Sequence, residues 1–279
     1  MDTMSDLQGS GRRRSACSAR PAPLLFAALL AAVLAFPLPA CAQRARLTHA
    51  EAPAKLVRKS QVYEAPAGVA LYPGDLVEAA AKGVQIEWPS GVMLALGPGS
   101  SLVVDDALAF PAVTLLRGWA KVAGASSAAN ARLHVAAGPL KIEASGGGVI
   151  HTVPGKTELF VEQGTLQVGA ADANPPAAPL SLGHDQYALH SAPQGLQTSA
   201  RPARPFVNEM PRAFFDPLLP LAARTRPAEP VLLRDLNPSD LAQWGELSAP
   251  QRKQMATRLA PRPAAPPKKA PKALPNTLF

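Results

Sequence analysis

Between Tyr72 and Val104 short apolar runs alternate with turn-forming residues. A turn at Pro73-Gly74-Asp75 leads into Val84-Gln85-Ile86-Glu87-Trp88. Val84, Ile86 and Trp88 fall on one face and Gln85 and Glu87 on the other, the period of two of a strand with one buried face. Pro89-Ser90-Gly91 joins this run to Val92–Leu96, which predicts a β-hairpin. Gly97-Pro98-Gly99-Ser100 and Leu102-Val103-Val104 repeat the rhythm, and Trp88 reads as a core residue.

The same pattern predicts further strands near Leu56-Val57, Gln61–Tyr63, Val69–Tyr72 and Val113–Val122. The last is interrupted at Gly118, where a bulge or a close approach of neighbouring backbone is expected. Strands follow at Arg132–Val135, Leu140–Ala144, Val149–Val153, Thr157–Glu162, Leu166–Val168, Leu180–Leu182 and Gln186–His190. Gly146-Gly147-Gly148 reads as a turn, because extended β-branched residues come after it where a phosphate loop needs a helix N-terminus. The fold class is therefore all-β, a stack of short strands over 55–192. Residues 43–54 are polar without a clear period and read as a linker.

The leader has a different texture. Arg12, Arg13, Arg14 and Arg20 precede thirteen apolar residues, Leu24–Phe36, and the sequence then passes through Pro37 and Pro39 to Ala40-Cys41-Ala42-Gln43. A basic region, an apolar run of this length and an A-x-A exit predict a secretory signal peptide over 1–42, cut between Ala42 and Gln43. The protein is expected in the periplasm. The alternative is a lipoprotein box, Leu38-Pro39-Ala40-Cys41, with Cys41 lipidated and the protein held at the outer membrane. Both cysteines, Cys17 and Cys41, lie in this leader, so cleavage after Ala42 leaves a chain without thiol or disulfide chemistry.

Composition changes the picture at the other end. The chain has 279 residues and 31 prolines, and from Ala200 prolines recur too often for long helices or strands. Apolar anchors persist at Phe206, Phe214-Phe215, Leu218-Leu219 and Val231–Leu233, so residues 193–236 are expected to lie over the β core in short turns. Short helices are expected over 237–260, the first capped by Asn237 with Pro238 at its first position. Trp244 would dock on the core or on a partner. Residues 261–279 form a basic, proline-rich arm, expected to be disordered. In it Lys268, Lys269 and Lys272 are the candidates for contact with an anionic wall polymer.

Net charge is +8 overall, but it divides as +3 over 1–54, −2 over 55–200 and +7 over 201–279. A nearly neutral β region argues against nucleic acid as a partner. The five histidines, His49, His134, His151, His184 and His190, are scattered, with no H-x-x-x-H or H-E-x-x-H spacing. His184, Gln186 and His190 could share one strand face, but two imidazoles without a third ligand do not make a metal site. There is no G-x-S-x-G elbow. No catalytic, metal or cofactor residues are assigned, and no small-molecule substrate is identified.

The order of these pieces resembles the periplasmic FecR-like domain. The resemblance covers about half the chain, roughly Leu56 to His190. It rests on Pro73-Gly74-Asp75-x-Val77, on Ser90-Gly91 followed by Leu94 and Leu96, and on Ser101-x-Val103. It rests also on Leu116-Arg117-Gly118 ahead of Val122, on Val161-Glu162-Gln163-Gly164-x-Leu166-x-Val168, and on Leu182-Gly183-His184-Asp185-Gln186. It departs at Glu143–His151, where the family usually has an R-G-T-x-F-like step. The resemblance implies antiparallel and solenoid-like β layers outside the inner membrane that act by protein contact. The 23 residues ahead of Leu24 leave no room for the cytoplasmic anti-sigma segment of membrane-bound members. The expected function is therefore that of an exported, non-catalytic envelope protein that binds an envelope protein or peptidoglycan, with envelope signalling as one setting. The alternative is a cell-wall or carbohydrate-acting enzyme.

Overall fold

The computed structural model describes residues 44–106, 111–124, 131–170, 178–237 and 240. The fold is all-β: the described residues form seventeen strands in two layers that share one long strand, β8 (Ala112–Ala123). The first layer runs β1 (Arg46–Ala50), β5 (Val84–Glu87), β6 (Met93–Leu96), the second half of β8, β11 (Gly147–Val153), β12 (Lys156–Gln163), β15 (Tyr187–Ser191), β16 (Gly195–Ser199). The second runs β17 (Val231–Asp235), β3 (Gln61–Ala65), β2 (Ala54–Arg58), β4 (Leu76–Glu78), β7 (Ser101–Asp106), the first half of β8, β9 (Leu133–Ala137), β10 (Leu140–Ala144), β13 (Leu166–Ala170), β14 (Leu180–Leu182). Neighbouring strands are antiparallel except β8 with β9.

Side-chain alternation builds one core between the layers. Leu47, Ile86, Leu94, Val122, Ile150 and Leu159 from the first layer meet Leu56, Leu102, Leu115, Val135, Ile142 and Val168 from the second. On β8 the core positions are the odd-numbered Val113 and Leu115 before the bend and the even-numbered Ala120 and Val122 after it. The phase change is made by a bulge: Ser101 pairs with Arg117 but Leu102 pairs with Leu115.

Gly118, at φ +88°, lies in that bend. A Cβ there would sit 2.4 Å from Ser100 Oγ and 2.8 Å from Ser100 Cα. The Gly97–Ser100 turn holds the bend from both sides: Trp119 N–H donates to Ser100 Oγ at 2.7 Å, and Gly97 N–H donates to Trp119 O at 2.9 Å.

The Pro73-Gly74-Asp75 turn is fixed by charge. Asp75, 2% exposed, accepts the Arg58 fork at 2.9 and 2.7 Å and the Tyr72 N–H at 2.9 Å. The Tyr72 ring carries the Arg44 and Arg58 guanidinium groups, each 4.4 Å from its centroid.

Four segments differ from the sequence reading. Residues 193–236, expected to lie over the core in short turns, also hold two strands, β16 and β17, because pairing with β15 and β3 supplies an extended conformation that the surrounding prolines argue against locally. Residues 43–54 hold a strand, β1, and the first residue of β2, not only a linker. Ala45, Leu47 and Thr48 are all buried, and a register shift between Leu47 and His49 breaks the alternation that would have revealed the strand. The Gly146–Gly148 turn is shorter than expected, since β11 starts at Gly147. Val69–Tyr72 forms no strand, only isolated bridges from Val69 to Ala228 and from Ala70 to Arg46.

Two glycines separate backbone strain from contact at the bend. Gly155 has φ +75° with nothing near its missing Cβ, so Gly155→Ala is expected to cost about 1 kcal/mol. Gly118→Ala adds the collision with Ser100 and is expected to cost at least about 2 kcal/mol. Urea unfolding of both variants checks the difference.

Candidate interaction surfaces

The outer face of the first layer is covered by the chain's own C-terminal segment. Pro205 sits at the start of α1 (Arg204–Glu209), where its missing N–H costs nothing. Phe206 of α1 and Phe214, in the 3-10 turn Arg212–Phe215, are 1% and 3% exposed. They pack with Ala95, Trp119, Val149 and Tyr187 in a second apolar cluster. Burying one such phenylalanine contributes about 1.5–3 kcal/mol.

Beyond Phe214 the segment is held differently, mainly by its main chain, with Leu218 packed on the edge of the cluster. Lys121, 4% exposed, donates Nζ to Phe214 O at 2.6 Å and Asp216 O at 2.9 Å while paired with Glu162 at 2.8 Å. Gln85 Nε2 donates to Leu219 O at 2.8 Å. Glu87, 5% exposed, accepts the N–H of Leu221 at 2.7 Å and of Ala222 at 3.0 Å. Thr225 Oγ1 then reaches Thr48 O at 3.0 Å. The strap thus crosses the layer from β15 to its β1 edge. Gln85 and Glu87 point away from the core, as the alternation predicts, yet they are buried because the strap roofs them.

Past the edge, Ala228 bridges Val69, and β17 adds to β3 in the second layer with Val231 opposite Glu64. Among the described residues no strand pairs with the other side of β17. Val231, Leu232 and Leu233 are 58%, 51% and 56% exposed. Arg234 forks onto Asp240 at 2.6 and 2.8 Å, and Lys55 adds a third contact to that carboxylate at 3.0 Å. Hydrogen bonding from Arg234 holds Asp240 well below the usual carboxylate range.

A trough of about 600 Å³ lies on the outer face of the second layer, over β9, β10 and β13. A cross-strand row places His134, Glu143, Gln167 and Ser181 opposite one another in turn. The next row has Lys141 between Ala136 and Gly169. Arg132 pairs with Glu143.

Ala40, Cys41, Ala42, Gln43, Trp244, Lys268, Lys269 and Lys272 lie outside the described residues, as do nearly all of the helices expected over 237–260. His184 is exposed, donating Nδ1 to Glu162 O at 2.7 Å and lying 3.3 Å from Asp185. Among the described residues no group of three or more His, Cys, Asp or Glu could hold a metal ion.

His151, by contrast, is part of a buried network. Its ring stacks on Trp119 at 4.0 Å, and its Nδ1 lies 3.1 Å from Glu158. Glu158 also accepts Tyr187 O–H at 2.7 Å and Lys156 Nζ at 3.0 Å. Burial pushes the Glu158 carboxyl up, but the hydrogen bonds from His151, Tyr187 and Lys156 outweigh it and hold the group at about 2.

No family model matches the chain, and no curated protein does. Two crystal structures, at 1.65 and 2.50 Å, of a protein from Parabacteroides distasonis ATCC 8503 provisionally designated an anti-sigma factor are similar to it. Each is 12% identical with a TM-score of 0.37, over 46% of this chain and 61% of theirs. The chain therefore spans about three fifths of the length of those structures.

The Glu158 network makes a pH prediction. A carboxylate whose folded value lies below its ordinary one stabilises the fold above pH 4.5 and loses that contribution as pH falls toward 2. Glu158→Gln is expected to lower the melting temperature at pH 7, and its gap to the parent should close between pH 4.5 and 2. Thermal melts across that window check the sign; a constant gap would contradict it.

Proposed function

We propose that this is an exported, non-catalytic envelope protein whose β domain binds a protein partner through the open side of β17. The observation that carries this reading is Val231-Leu232-Leu233: three consecutive apolar side chains, each more than half exposed, on a strand with one side unpaired among the described residues. Exposed strands are usually blunted by charge or proline. A strand left apolar and open suits β-strand addition, in which main-chain hydrogen bonds supply affinity and alternate side chains supply specificity. The leader supports a periplasmic location, with lipidated Cys41 as the alternative. The FecR-like resemblance supports a setting in envelope signalling.

A second reading is favoured by the trough. The row His134, Glu143, Gln167, Ser181, with Lys141 beside it, offers donors and acceptors at strand spacing to a polar wall fragment, and the basic arm with Lys268, Lys269 and Lys272 would add charge attraction to peptidoglycan.

Crosslinked affinity purification from the envelope tests both. Leu232→Lys with Leu233→Lys leaves the core untouched and is expected to reduce recovery of the protein partner at least ten-fold, whereas Lys141→Ala with Gln167→Ala leaves it unchanged. Loss of sacculus binding in the second variant alone, with no protein recovered by the parent, would overturn the strand-addition reading in favour of the wall.

A further inference from the structure

We propose that the outer face of the first layer is a peptide-reading groove, occupied in cis by residues 215–225, and that a proline-interrupted segment of a partner protein, extended and then turning as this strap does, takes its place. The inference rests on the reading of the domain as a protein-binding module but concerns the layer opposite β17.

The way the strap is held is the first argument. From Phe215 to Arg224 none of its side chains is buried; Phe215 and Leu219 are 56% and 65% exposed. The groups that grip it, Gln85, Glu87 and Lys121, are buried and address only main-chain carbonyls and N–H groups. Side chains add a partly buried Leu218 on the aromatic cluster and the Thr225 hydroxyl on Thr48 O; a surface that grips mainly by the backbone accepts other sequences of the same shape.

Shape is set by Pro217-Leu218-Leu219-Pro220, a P-x-x-P segment that favours an extended chain at low entropic cost, followed by a turn in which the Arg224 and Thr225 N–H groups donate to Leu221 O at 2.9 and 3.1 Å. Asp216, just ahead of Pro217, is extended at φ −91° and ψ 149°. The strap does not fill the face. Cavities of about 550 and 490 Å³ flank it, the first beside Lys121 and Glu162, the second beside Gln85 and Leu219.

The reading groups also keep partners when the strap leaves. Lys121 retains Glu162 at 2.8 Å, and Glu87 retains Thr48 Oγ1 and Gln85 Nε2, each at 2.8 Å. An emptied groove therefore holds no uncompensated buried charge, which is the condition for exchange of one peptide for another. While attached, the strap competes as an intramolecular ligand at an effective concentration on the order of millimolar, so partner binding to the resting protein is weak.

The test uses the full chain and a fluorescent peptide of residues 216–226. Leu221→Pro with Ala222→Pro removes the two N–H groups that Glu87 accepts and leaves the groove intact. This variant is expected to bind the peptide at least ten-fold more tightly than the parent, and adding Glu87→Gln to it is expected to abolish the gain. Leu218→Ser with Leu221→Ser loosens the strap without new prolines and serves if the proline variant does not fold. No gain in either folded variant overturns the proposal, as does a gain that survives Glu87→Gln. Self-association of the released variant without peptide uptake would assign the groove to a second copy and also overturn it. Capture of a partner through β17 is unaffected by these outcomes, so failure here leaves that reading standing.

Discussion

The contact between Ser100 and Gly118 is the constraint on which the two layers depend. β8 serves both layers, and its core-facing positions must shift by one residue where it passes between them. That shift leaves the Trp119 N–H without a regular ladder partner, and the Ser100 hydroxyl supplies one at 2.7 Å. Only a glycine allows the turn to come so close, because a Cβ at position 118 would overlap Ser100. With the bend fixed, Val113 and Leu115 of one layer and Ala120 and Val122 of the other enter the same core. Trp119 and Lys121 are then presented on the outer face of the first layer.

On that outer face buried polar groups are put to an unusual use. Glu87, Gln85 and Lys121 would be ordinary solvent-facing residues on a one-sided sheet. Here they are roofed by a proline-rich strap and hold it by its backbone. Aromatic burial of Phe206 and Phe214 anchors the start of the segment, and strand pairing of β17 with β3 secures its end. The C-terminal region is thereby built into the β domain, and it carries five of the eight large apolar side chains that are exposed among the described residues: Phe215, Leu219, Val231, Leu232 and Leu233. Function by contact is thus proposed for a region that composition alone marks as irregular.

Much of the β architecture was legible in the sequence because alternation and turn residues report directly on burial. The hairpin Val84–Leu96, the core position of Trp88 and the close approach at Gly118 are all consequences of local pattern. β1 was hidden by its own bulge at Leu47–His49. β17 was hidden by the prolines around it, which argue locally against a strand although pairing with β3 supplies one. The grip on the strap left no local signal, since Lys121 finds its carbonyl partners 93 and 95 residues away and reads no side chain there. A lysine alternating with core residues looks the same whether its outer side is open or roofed.

The central claim is that residues 204–237 are packed on the β domain in the resting protein. Hydrogen exchange of the full chain, read at single amides by mass spectrometry, tests it most directly. The account predicts slow exchange at Leu221 and Ala222, whose N–H groups donate to Glu87, at Ala228, which donates to Gly68 O, and along β17 where it pairs with β3. Exchange of these amides at the rate of a free peptide, with the strands from β1 to β15 still protected, would contradict it.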